Sequence, residues 1–201
     1  MFSPLTPALS PLRRERAVAR SSRASGPPSR MATMFWVLLC AVIFLPACKP
    51  KPQTSAEDSA SAHALFEQTT REFHGPSTEA KGPERERLLN EAASRYSKLL
   101  KTFPGETNLC AQSLRALGSI HATRGQTNEA VKLYAAVGEK YGSQDWEVLQ
   151  AWKSAADLLW DSNQRGEAKK FYAKIVERFG KNDVPQIIQQ VVRGSKARLA
   201  E

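Results

Sequence analysis

Residues 171–180 read FYAKIVERFG, and the same helical face is written twice more, as LYAAVGEKYG over 133–142 and RYSKLLKTFP over 95–104. With the three stretches laid in register, Ala92, Ala130 and Ala168 correspond, as do Tyr96, Tyr134 and Tyr172, then Leu99, Val137 and Ile175, then Phe103, Tyr141 and Phe179. Spacings of 4, 3 and 4 put each set on one stripe of an α-helix. The alanine heading each stripe lets another helix come close, and the aromatics below it fill the gap between helices. Pro104, Gly142 and Gly180 then stop each helix.

Further amphipathic helices are predicted between these echoes. Residues 107–124 carry Cys110, Leu114, Leu117 and His121 on one side, with Gly118 among them leaving room for a neighbouring backbone. Residues 144–163 carry Val148, Trp152, Ala155, Ala156 and Leu159 on the matching side. Trp152 thus answers Leu114, and Ala156 answers Gly118, at the same offset as the echoes. Residues 57–73 align Ala62, Leu65, Phe66, Thr69 and Phe73 as the first helix of the first pair. After the loop HGPSTEAKG, Gly82-Pro83 and two early Glu open the next helix. Pro185 starts a last helix, PQIIQQVVRGSKARLA, whose Gly194 matches Gly118 and Ala156 and which is expected to cap the open end of the stack. Strand signals are lacking, with neither β-branched alternation nor an Asn-Gly turn pair. The expectation is an all-α fold of about seven helices in tandem antiparallel pairs.

The small residue at Gly118 or Ala156, the alanine at 130 or 168 and the aromatic four residues later resemble the tetratricopeptide repeat, over roughly residues 83–180. The period of 38 exceeds the family's usual length of about 34, and the extra residues fall in the turns GETN and GSQD. Such longer turns are common in the repeat lipoproteins that serve outer-membrane assembly and Tol-Pal function. The resemblance implies a right-handed α-solenoid whose first helices line a concave groove. On that resemblance the groove positions are Gln112, Arg115 and Ser119 in one repeat and Gln150, Lys153, Asp157 and Trp160 in the next. Arg115 and Lys153 correspond, and together they offer a site to an acidic or C-terminal carboxylate group; the bland alternative is a solvated helix face. The asparagines of carboxylate-clamp repeats are missing at Ser119 and Asp157, which argues against that specific activity. Trp160 either anchors a groove ligand or packs on the last helix.

The N-terminal quarter is of another kind. Residues 1–30 hold six Arg, one Glu, five Pro and six Ser with no helical or strand period, and read as a mispredicted or disordered extension. The start then lies at Met31 or Met34, or at Val18 if read from a GTG codon. Residues 34–45, MFWVLLCAVIFL, are an apolar run of twelve. As a helix the run spans about 18 Å, against a hydrocarbon core of about 30 Å, which suits a signal-peptide core rather than a transmembrane span. Leu45-Pro46-Ala47-Cys48 resembles a bacterial lipobox, which implies a signal peptide over 31–47 and a diacylglyceryl thioether on Cys48. Lys49 in place of the Asp that retains enteric lipoproteins in the inner membrane implies the outer membrane. Residues 48–61 read as the lipidated cysteine and a flexible tether with a reach of about 20 Å, and residues 62–201 as the repeat domain.

This partition bears on charge and cysteines. Of the formal +9, residues 1–47 hold six Arg against one Glu, and the remainder holds 23 Lys and Arg against 19 Asp and Glu. The remaining cations are interspersed with Glu as on a solvated helix surface, so nucleic acid is not the expected partner. With Cys40 in the signal and Cys48 lipidated, only Cys110 is left, a buried small hydrophobe rather than a reactive thiol. His63, His74 and His121 are eleven or more residues apart, without the spacing of a helical metal site, and His121 is expected in the core. No G-x-S-x-G, phosphate-cradling glycine loop or Cys-x-x-Cys occurs. The expected role is therefore non-enzymatic, without metal, cofactor or small-molecule substrate. It is that of a membrane-anchored periplasmic scaffold binding another cell-envelope protein. A structural spacer without a groove ligand and a soluble helical repeat protein that is never lipidated are the alternatives.

Overall fold

A computed structural model of the chain describes residues 55–181 and 183–201. The expectations for the N-terminal extension, the signal peptide, Cys48 and the start of the tether lie outside the described residues. Within them the fold is all-α: α1 (Ala56–Thr69), α2 (Gly82–Thr102), α3 (Thr107–Thr123), α4 (Thr127–Lys140), α5 (Asp145–Asp161), α6 (Arg165–Phe179) and α7 (Gln186–Ala200). Each helix packs against the next along the chain, and α3 also meets α5 and α1. The result is a stack of antiparallel pairs, α1/α2, α3/α4 and α5/α6, with α7 laid on the last.

The rhythm of the repeat is visible in the packing. Ala92, Ala130 and Ala168 are fully buried, as are Leu99, Val137 and Ile175, and Tyr96, Tyr134 and Tyr172 are nearly so. Gly118 makes room for a ring rather than for a backbone, since a Cβ there would stand 2.6 Å from the Tyr134 ring. Gly138 does the same for Trp152 of α5, so Tyr134 closes its own pair and Trp152 reaches across to the pair before it. The helix ends repeat as well. Gly125 and Asn163, one period apart, hold left-handed φ values of 72° and 61°. The next amide in each case donates back, Gln126 to His121 O at 2.9 Å and Gln164 to Leu159 O at 2.8 Å. These bonds close α3 and α5 by the same C-terminal motif.

Two boundaries differ from the sequence expectation. The span 48–61 was expected as tether, but α1 already begins at Ala56, because Ser55 caps it: the Asp58 amide donates to Ser55 Oγ at 3.0 Å, and Ala and acidic residues fill the first turn. The helix expected to run through Phe73 ends at Thr69, and Thr70–His74 widen into a π-helical turn. Polar ties bridge successive pairs, Arg124 to Glu86 and Asn90 of α2 and Asn108 to Gln144, while Arg178 reaches Asp145 within its own pair and the Gly142 carbonyl in the turn before it.

Candidate functional site

The expected groove residues fall into two groups. Lys153, Asp157 and Trp160 of α5 come together with Ile187, Val191 and Arg198 of α7 around an open groove of 550 Å³, with Tyr172 of α6 beneath them. Gln112, Arg115, Ser119 and Gln150 are half-buried and do not line it.

Asp157 is the polar centre of the groove. The Tyr172 hydroxyl donates to its Oδ1 at 2.8 Å, and Lys153 donates to its Oδ2 from one turn away. Burial pushes the Tyr172 phenol well above its ordinary value, and the neighbouring Asp157 carboxylate adds to the effect. Trp160 packs edge-on to Tyr172, with ring centroids 6.1 Å apart. The guanidinium groups of Arg165 and Arg198 stand over the Trp160 ring at 5.0 and 4.6 Å. Trp160 is thus joined to the last helix through Arg198. Ile187 rises from α7 at the rim, 52% exposed.

Arg115 is not a free cation on a groove wall. Its Nε donates to Glu147 Oε2 at 2.7 Å, and that carboxylate is 5% exposed. The expectation of a basic pair of Arg115 and Lys153 open to a ligand is corrected accordingly: each is already neutralised, one by Glu147 and the other by Asp157. Arg115 instead sits at the junction of three pairs. Its charge reaches His74, Tyr96 and Tyr134: burial lowers the His74 pKa and raises both phenols, and the Arg115 charge adds to the first shift and offsets part of the other two. Ser119 and Ser154 stand near the Tyr134 hydroxyl, and Gln112 donates to Asn108 Oδ1 at 2.6 Å.

The tyrosine hydroxyls, expected only as parts of apolar fillers, each reach a neighbouring polar group. Tyr96 meets Thr70 Oγ1 at 2.9 Å and His74 Nδ1 at 3.2 Å beside the π-helical turn. Burial, and secondarily the charge of Arg115, hold His74 below the ordinary imidazole value of 6.5. A base with a lowered pKa in the fold takes its proton first in the unfolded chain. Its stabilising contribution is therefore complete above pH 6.5 and is lost as pH falls through the lower folded value. His74→Gln is expected to flatten the decline of melting temperature below about pH 6.5. Melting curves of wild type and variant that decline in parallel over that range would show that His74 charges freely in the fold.

His121, expected in the core, is half-buried at a helix end, where its Nδ1 meets Gln126 Oε1 at 2.6 Å. Cys110 is fully buried, and burial raises its thiol pKa, which keeps it protonated. Among the described residues no group of three or more His, Cys, Asp or Glu is placed to hold a metal ion, and no helix is long and apolar enough to cross a membrane.

Sequence reasoning missed Glu147 and Arg198, although the repeat marks both. Glu147 stands one period after Leu109, which is buried, so a charge there needs a partner. Arg198 stands one period after Trp160, the ring that it covers. Comparison with protein-family models and with curated proteins gives no match, so the functional reading rests on these residues and their geometry.

Proposed function

We propose that the chain is a lipid-anchored periplasmic scaffold that holds a segment of another cell-envelope protein in the groove between α5 and α7. The observation that carries this reading is the convergence of Lys153, Asp157 and Trp160 with α7 around an open groove whose rim bears the exposed Ile187. An open groove with an exposed apolar rim and a few fixed polar groups suits a peptide segment, which would meet Ile187 and Val191 with apolar side chains and Asp157 and Lys153 with its polar groups. The lipobox-like Leu45-Pro46-Ala47-Cys48 and the following Lys49 support an outer-membrane lipoprotein facing the periplasm. The resemblance to tetratricopeptide-repeat lipoproteins supports protein binding as the role.

A spacer without a groove ligand is the second reading, and the internal neutralisation of Arg115 and Lys153 favours it. Two measurements test the first reading. Cys48→Ser is expected to release the chain from the membrane fraction or to leave an unprocessed precursor; a mature N-terminus elsewhere than Cys48 refutes the anchor. Lys153→Ala with Ile187→Ser changes two solvent-facing positions and is expected to cost no more than about 0.5 kcal/mol each in stability. Cross-linked partners captured from native membranes should be lost with this double variant while its melt is unchanged. Wild-type yield would favour the spacer.

A further inference from the structure

We infer that the cleft between Lys181, Arg193 and Lys196 is a second binding site, on the side of α7 away from the groove, and that it takes a segment of a partner protein carrying two neighbouring carboxylate side chains.

The cleft forms where the turn after α6 meets α7. Phe179 and Val192, both buried, line it together with Val184. Gln189 donates to the Val184 carbonyl at 2.8 Å and ties α7 to the turn that leads into it. Lys181 from that turn and Arg193 and Lys196 from α7 line the same recess, and all three are exposed. No acidic residue lines it, and Asp183 of the connecting turn stays outside. Two nearby cations are occupied, Arg178 by Asp145 and Arg198 by Glu201, whereas none of the three in the cleft enters an ion pair among the described residues. Arg193 and Lys196 stand one turn apart, and like charges so placed work against the helix unless an anion joins them.

The charge of the whole stack points the same way. Residues 165–201, which form α6 and α7, hold nine Lys and Arg against four Asp and Glu, while residues 55–164 hold twelve against fifteen. The basic excess is confined to one end, which draws an anionic partner there and away from α1 through α5.

Size and shape select the anion. A volume of 150 Å³ is that of about five waters at about 30 Å³ each, enough for the ends of two carboxylate side chains. The planar fork of Arg193 suits one carboxylate bidentately, Lys181 and Lys196 supply point charges for the other, and the apolar lining suits the methylenes of Glu. A bilayer is a flat sheet that does not enter a recess.

The test uses the full-length chain in neutral detergent and the peptide acetyl-Gly-Ser-Glu-Glu-Val-Gly-amide, labelled with an uncharged dye and followed by fluorescence anisotropy. It is expected to bind at least about tenfold more tightly than the same peptide with both Glu replaced by Gln. Arg193→Glu with Lys196→Glu is expected to abolish binding while the melting curve stays in place. Lys170→Glu with Lys174→Glu makes the same change of net charge on the exposed face of α6, outside the cleft, and is expected to keep most of the affinity. Equal binding of the two peptides, full binding after the cleft reversal, or equal loss with both reversals overturns the inference, the last because a diffuse field would then suffice. Displacement of the peptide by phosphatidylglycerol bicelles but not by phosphatidylcholine bicelles makes a bilayer the occupant and overturns it too. Self-association of the wild type in sedimentation that the cleft reversal removes makes a second copy the occupant, with the same consequence. A peptide whose binding is lost instead with Lys153→Ala and Ile187→Ser sits in the groove, which overturns this inference and leaves the groove reading standing.

Discussion

Tyr134→Ala is expected to cost about 3–5 kcal/mol of folding free energy, the range for removing a large buried aromatic. The ring is 4% exposed and fills the space over Gly118. Ser119 of its own pair and Ser154 of the next stand near its hydroxyl, so the same residue faces α3, α4 and α5. Tyr134→Phe keeps the ring and removes only the hydroxyl, with an expected cost of about 1 kcal/mol. Denaturant melts of both variants separate packing from hydrogen bonding. A loss under about 1 kcal/mol for Tyr134→Ala would mean that α3 and α5 close over the gap.

Arg115→Ala is expected to cost about 3 kcal/mol, because it leaves Glu147 buried without its partner. About a third of the Arg115 side chain remains open to water, which places the figure at the low end for a broken buried pair. Arg115→Glu is expected to be worse, since it sets two carboxylates side by side. The double variant Arg115→Leu with Glu147→Leu should recover most of the loss, because the position equivalent to Glu147 one repeat earlier is the buried Leu109. A double-mutant cycle from urea melts measures the coupling. Additive losses in that cycle would mean that the pair is solvent-screened and contributes little.

The fold was legible because one stripe recurs. Ala92, Tyr96 and Leu99 with their two echoes are all core residues, and the helix boundaries fall within a few residues of the expected turns. The start of α1 was read two ways, as helix from residue 57 and as tether through 61, because Ala, Ser, Glu and Asp suit a tether and a capped first turn equally well. The site was half legible. Position along α5 brought Lys153, Asp157 and Trp160 to one wall, but the opposite wall belongs to α7, whose contribution depends on how far the stack curves. Pairing was hidden in Arg115 for a different reason. Its partner lies far along the chain on a neighbouring first helix, where only the exception to the repeat at Glu147 betrays it.

The polar ties between successive pairs bear on how the stack comes apart. In a tandem array each pair contacts only its neighbours, so units can melt singly from either end. Here Arg124 and Asn108 each fasten one pair to the next, Arg178 ties the last pair to the turn at Gly142 that precedes it, and Arg115 bonds α5 while its charge reaches the first two pairs. Opening any middle pair breaks contacts on both sides, which couples α2 through α6 into one cooperative block. The first helix stands apart from that block, with only Ala62 and Thr69 fully buried. Its amides should exchange with solvent hydrogen at a lower opening free energy than those of α3 and α5. A tug on the N-terminal end would then be absorbed by α1 peeling away before the rest of the stack yields.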